Sequence, residues 1–196
     1  IFDTNDNFEF TGPITIMAWI NASNAGGGGY GRVIEHGGAS TNYMMLFPNA
    51  NDIQCSFYNN VGGATSSLSN DNSVTYGDWH HIACVYDGTN TSIYVNGELK
   101  DTDVFSGSPR GDVNSFLRLG ASYSANRNFE GIIDDVQIID RALTIDEIDT
   151  AYFDNPKFVF EQQGVYISEI YNVSDYDPEF YANIWELSLF QGLNIT

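Results

Sequence analysis

The stretch GDWHHIACVYDGTNTSIYVNGE, residues 77–98, crowds two histidines, a tryptophan, a cysteine and an aspartate into a short span, and its reading decides the fold. HHIACVY (80–86) and TSIYVNG (91–97) alternate as half-buried strands do, and Asp87-Gly88-Thr89-Asn90 lies between them as a turn. Asn96-Gly97 supplies the two positive-φ positions of a type I′ hairpin turn, so residues 80 to about 104 read as a meander of three strands, ending in ELKDTDVF. His80 and His81 are consecutive, and consecutive strand residues point to opposite faces. They cannot serve one ligand from the same side. Structural roles are expected, one ring hydrogen-bonded inside and the other near a sheet edge.

Outward from the meander the same rhythm recurs in FEF (8–10), ITIMAWIN (14–21), RVIEH (32–36), NYMMLF (42–47), DIQCSFY (52–58), FLRLG (116–120) and GIIDDVQIID (131–140). Short alternating runs separated by Gly, Asn, Asp and Ser clusters are what two packed antiparallel sheets require. The helix-like segment is RALTIDEIDTAYFDNP (141–156): Thr144 and Glu147 form a capping box, Leu143, Ile145, Ile148, Ala151 and Tyr152 share a face, and Pro156 ends it. AGGGGYG (25–31) has no following helix or lysine to make a phosphate cradle, so it reads as a flexible loop between strands that could border a ligand.

A chain of 196 residues suits one large β domain or one domain plus a partial second. Seven Lys and Arg against 26 Asp and Glu give a net charge of -19, which repels nucleic acid and anionic membranes and favours cations as partners. No apolar run is long enough for a membrane span, so no membrane insertion is expected. The start IFDTND is neither a signal peptide nor an initiator Met, which suggests a processed product or an excised piece. Cys55 and Cys84 are the only cysteines, without zinc or redox spacing; two buried thiols are the favoured reading and a bridge between facing strands the other.

FDTNDNFEFTGPITIMAWI (2–20), GDWHHIACVYDGTNTSIYVNGELK (77–100) and FEGIIDDVQIIDRALTIDEI (129–148) resemble the three signature stretches of laminin G-like, or concanavalin A-like, jelly-roll domains. The resemblance covers about residues 2–154 and implies an all-β fold: a two-sheet antiparallel jelly-roll sandwich, its ends adjacent, with one short helix after the last strand. It implies an extracellular binding or adhesive module, often glycan-binding and often holding calcium. Asp3 and Asp134 match positions where similar domains supply calcium ligands, and carbonyls near Gly37 would complete the oxygen shell calcium needs. Asp6 and Asp135 are reserves, since Asp135 should face away from Asp134.

Some glycosidases and lyases share the sandwich, but no strand carries the alternating acids of a retaining glycosidase. Glu147-Ile148-Asp149 falls on the helix and lacks a third acid. A lyase trio of Arg32, His36 and Tyr43 can be drawn on paper only, so the chain reads as non-catalytic. For a glycan or protein ligand the candidates are the loop tyrosines Tyr30, Tyr58 and Tyr123, with Asn59 and Asn126 for hydroxyl groups. Trp19 and Trp79 stand where the resembled domains bury a core aromatic. Residues 155–196 exceed what such a domain needs; they begin a further β domain, or the strands of segment 157–196 add by edge pairing to the jelly roll itself or to neighbouring subunits. The competing reading is a structural protein of a surface particle, such as a virion decoration or filament subunit, that uses the jelly roll as a brick.

Overall fold

A computed structural model describes residues 8, 10–37, 41–46, 51–59, 64–69, 72–105, 107–110, 116–123, 126–154, 164–167 and 171–172. The strands are Ile14–Ala22 (β1), Arg32–Gly37 (β2), Thr41–Leu46 (β3), Gln54–Tyr58 (β4), Ala64–Leu68 (β5), Trp79–Tyr86 (β6), Asn90–Val95 (β7), Glu98–Val104 (β8), Phe116–Leu119 (β9) and Gly131–Ile139 (β10). After the helix Ile145–Asp154 (α1) come Gly164–Ile167 (β11) and Tyr171–Asn172 (β12). A seven-stranded antiparallel sheet has the order β11-β10-β1-β6-β7-β8, with β12 also on β10. The second sheet has five strands, in the order β5-β4-β3-β2-β9. The two form the expected jelly-roll sandwich.

β1 is the centre of the larger sheet, paired with β10 on one side and β6 on the other. Its even-numbered residues Ile14, Ile16, Ala18, Ile20 and Ala22 face inward, against Tyr43, Met45, Cys55 and Phe57 of the smaller sheet. The odd-numbered Met17 faces outward into a second apolar layer with Ala83, Val85 and Ile139, covered by Leu143, Ile148 and Ala151. Helix α1 is held there by the expected capping box: the Thr144 N–H donates to Glu147 Oε2 at 2.8 Å, and the Glu147 N–H donates to Thr144 Oγ1 at 3.4 Å. Arg141 adds a two-pronged ion pair to the same carboxylate, at 2.9 and 2.8 Å, and its guanidinium holds Glu147 down to about 2.

The meander forms as read. Asn96 (φ 52) and Gly97 (φ 81) make the turn, and Gly97 passes so close to Asp149 of α1 that a Cβ would lie 2.6 Å from its Oδ1. Asn96 Oδ1 accepts the His81 N–H, and Asn96 Nδ2 meets His80 Nδ1 at 3.1 Å. His80 Nε2 accepts the Thr75 N–H at 2.9 Å. His81 stands between Trp19 and Tyr152, with ring centroids 5.4 and 6.2 Å away, and its Nδ1 has no hydrogen-bond partner. Both histidines are structural.

Three features differ from the sequence reading. Cys55 of β4 and Cys84 of β6 are not two thiols but a disulfide, which ties the sheets together through the core with Cα atoms 5.7 Å apart. Trp79 is not a core aromatic: it is 41% exposed at the start of β6, while Trp19 lies under α1, stacked 5.6 Å from Tyr152. FEF (8–10) contributes no strand at Phe8 or Phe10; both pack on the core instead. The alternative of edge pairing by the tail has a counterpart within the chain, since β11 and β12 add to the outer edge of β10. KFVFE (157–161) lies outside the described residues.

Replacing both Cys55 and Cys84 with alanine removes a cross-link spanning 29 residues, so urea denaturation should read a loss of about 3.5 kcal/mol from chain entropy alone. Burial lowers the His81 ring to about 4, so the unfolded chain takes up its proton first as pH falls. Stability should therefore be complete above about pH 6.5 and decline by about 3 kcal/mol towards pH 4. His81→Phe, which fits between the same rings, should flatten that part of a melting-temperature profile.

Candidate functional site

The outer face of the five-stranded sheet, which no helix covers among the described residues, gathers polar and aromatic residues. Its organising residue is Glu35 of β2, 3% exposed. Glu35 Oε2 accepts from Arg32 Nε at 3.0 Å and from Ser122 Oγ at 3.0 Å, and Oε1 accepts the Tyr123 N–H at 2.6 Å. In a regular strand, residues 32 and 35 would point to opposite faces. A bulge between Arg32 and Ile34 adds a residue, turns both Val33 and Ile34 into the core, and leaves the ion pair on one side.

Around this hub the loops bring aromatic rings to the surface. Arg32 Nη1 donates to the Tyr30 carbonyl at 3.1 Å, and the Tyr30 ring, 44% exposed, lies under the Arg127 guanidinium at 5.3 Å. Tyr123, 59% exposed, has the Arg118 guanidinium 5.4 Å from its ring. Arg118 is the cross-strand partner of Glu35, and its Nη1 donates to the Gly37 carbonyl at 2.6 Å. Tyr58 of β4 faces the same group. Burial pushes its phenol up, Arg32 and Arg127 oppose the shift and Glu35 adds to it, so the hydroxyl stays protonated at neutral pH.

The glycine loop is pinned rather than flexible. Gly27–Gly29 form a 3-10 turn, the Gly27 N–H donates to Asn128 O at 2.9 Å, and the Gly26 N–H donates to Asn24 Oδ1 at 2.6 Å. Gly26 has φ 71 and sits so near residue 128 that a Cβ would come within 2.5 Å of the Asn128 carbonyl. This contact sets Tyr30 beside Arg127 and Asn126, which is exposed.

The expected ligand residues Tyr30, Tyr58 and Tyr123 thus belong to one face. Asn59 does not present its side chain there: it is 5% exposed, bridged to Pro109, with its carbonyl accepting from Arg110 Nη2 at 3.0 Å. Sequence reasoning passed over Glu35, Arg118 and Arg127. A glutamate and an arginine inside the apolar run RVIEH are the signal that points to a buried pair.

The expected calcium set is not brought together by its described members. Asp134 lies opposite Trp19 in the pairing of β10 with β1, which puts it on the helix side of the larger sheet, turned away from the sheet that carries Gly37. Asp134 Oδ1 accepts the Asp135 N–H at 2.8 Å, and the Gly37 carbonyl already receives a cation. Asp135 has φ 46 in a bulge and is 9% exposed. Asp3 and Asp6 lie outside the described residues, and among the described residues no three His, Cys, Asp or Glu side chains converge. The lyase trio separates as well: His36 and Tyr43 stack in the interior, 4.9 Å between centroids, while Arg32 is on the outer face with Glu35.

With fold and face defined, comparison with known proteins places the chain. A laminin G model described as the concanavalin A-like lectin/glucanases superfamily matches residues 2–149, and the chain belongs to that family. No curated protein matches it by sequence. Among solved structures it is similar to a native heptameric SAP-like pentraxin from Limulus polyphemus, with TM-score 0.58, 14% identity, and 85% of each chain covered. It is also similar to domain 4 of a GH43 extracellular arabinanase from Geobacillus stearothermophilus in complex with arabinotriose, with TM-score 0.57, 17% identity, and 74% of this chain and 68% of that one covered. The binding domain of botulinum neurotoxin serotype G aligns with TM-score 0.56 and 16% identity, over 76% of this chain and 37% of that chain. The fold is that of a lectin and binding-module family. Among the described residues no helix is long and apolar enough to cross a membrane.

Glu35→Gln keeps the side chain's size but strips the buried Arg32 of its counter-charge. Thermal and urea unfolding should register about 3 kcal/mol lost, an effect that a replacement on an exposed face would not produce.

Proposed function

We propose that this domain is a non-catalytic, extracellular carbohydrate-binding module that takes its ligand on the outer face of the five-stranded sheet. The observation that carries the reading is the pair of exposed rings, Tyr30 and Tyr123, each steadied by an arginine, with the Tyr123 N–H bonded to Glu35 and the Tyr30 carbonyl to Arg32, Glu35's ion-pair partner. Aromatic faces stack on the C–H faces of pyranoses, and rings held before the ligand arrives lose little conformational freedom on binding. Tyr58, Asn126 and Ser122 supply hydroxyl and amide groups around them. The arabinotriose bound to the similar arabinanase domain agrees with a sugar as ligand. A disulfide in the core agrees with an oxidising, extracellular setting.

The reading of the chain as an assembly brick needs the segment 157–196 to clasp a neighbour. Pairing of β11 and β12 with the chain's own β10 favours the module instead. Light scattering after size exclusion separates the two, with a monomer expected at micromolar concentration.

A glycan array probed with the purified chain should give positive features. Tyr30→Ala and Tyr123→Ala should each weaken the best of them about tenfold while the melting temperature stays within a degree or two of the parent. An array blank for the parent chain, or binding untouched by both substitutions, rejects the assignment.

A further inference from the structure

The distribution of arginine goes beyond what a neutral sugar needs. Five arginines occur in a chain of net charge -19, and four of them, Arg32, Arg110, Arg118 and Arg127, touch residues of this one face or of the strand end beside it. Arg32 is neutralised by Glu35. Arg118 and Arg127 have no carboxylate partner among the described residues. Glu35, the acid directly across from Arg118, spends its oxygens on Arg32, Ser122 and Tyr123. Glu130, on the same connection as Arg127, is bonded to Asn24 Nδ2 at 2.6 Å.

Arg118 is 8% exposed, and its one short contact is to a neutral carbonyl. A cation removed from water without a counter-ion is costly, and an anion delivered by a ligand relieves that cost. The two guanidiniums lie over the rings of Tyr123 and Tyr30, so each exposed aromatic face has a positive charge at its side. A planar guanidinium fits a carboxylate or a sulfate with two parallel hydrogen bonds, a geometry that neutral hydroxyls do not exploit.

We infer that the sugar recognised here is acidic: a glycan bearing carboxylate or sulfate groups, stacked on Tyr30 and Tyr123 with its anion on Arg127 and Arg118. The inference rests on the carbohydrate-binding reading above and narrows it. The excess of negative charge elsewhere on the chain then serves selectivity, since an anionic polymer is repelled everywhere but at this face.

Calorimetric titration with four probes tests it: an oligogalacturonate, its methyl ester, a sulfated galactan oligosaccharide and its desulfated form. The carboxylate or the sulfate probe, whichever is the source of the anion, should bind at least tenfold more tightly than its neutral counterpart, and more weakly as salt rises. Arg127→Gln should lower the ratio of acidic-probe to neutral-probe affinity about tenfold, with the melting temperature of the parent. Equal binding of an acidic probe and its neutral counterpart, lost in Tyr30→Ala, overturns the charge assignment and leaves the carbohydrate reading standing. Failure of all four probes in a chain that binds neutral sugars on an array does the same, while failure on the array as well overturns both.

Discussion

Everything in this molecule depends on β1 being usable from four directions. Its two edges are hydrogen-bonded, to β10 and to β6, and its two faces are both buried, the inner against the five-stranded sheet and the outer beneath α1. A strand so enclosed must carry apolar residues at even and odd positions alike, and ITIMAWINA does. The consequence reaches both ends of the chain. Thr15 Oγ1 donates to the Arg141 carbonyl at 2.8 Å and accepts the Leu143 N–H at 2.9 Å, so the segment entering the helix is fixed by a side chain of the first strand.

That enclosure divides the labour between the sheets. The outer face of the larger sheet is consumed by the helix, by the stacked Trp19, His81 and Tyr152, and by the cap at Thr144. Among the described residues no helix lies over the smaller sheet, so its outer face can be polar, and its buried polar groups must satisfy one another. Glu35 does this with Arg32, Ser122 and Tyr123, and in doing so ties the loop after β9 to the strand that follows the glycine turn. The scaffold of the face and the exposed rings above it are therefore one network, a rigid support of the kind binding sites require.

Much of this was legible because it is local. Alternation located most strands; Asn96-Gly97 located a hairpin; Thr144 and Glu147 located a helix start, since each signal lies within a few residues of its effect. What escaped is set by pairing over long distances. β5, ATSSL, is a strand of small polar residues with no apolar alternation to announce it, and it exists because β4 offers it an edge. The Cys55–Cys84 bridge depends on two strands facing each other across a core, which a separation of 29 residues does not reveal. Bulges did the most damage. At Val33 a bulge brought Arg32 and Glu35 to one side, and at Asp135 another interrupts the strand alternation by which Asp135 was set against Asp134. The tyrosines of the face were found individually because exposed aromatics in loops are conspicuous; their convergence was not, since it runs through Glu35.

A net charge of -19 is opposite in sign to a face that gathers arginines, and the two are parts of one electrostatic arrangement. Repulsion among surface carboxylates is screened within about 8–10 Å at physiological salt, so acids elsewhere on the chain scarcely weaken a guanidinium held at an aromatic ring. What the surplus does change is the approach. A diffuse negative field disfavours random contact by polyanions such as nucleic acid, while the face acts at short range, where hydrogen-bond geometry and stacking decide. For the acidic ligand proposed above, Arg118 and Arg127 would owe their selectivity to the acidity of the rest of the chain: on a basic protein the same two side chains would be lost in a general attraction for any anion.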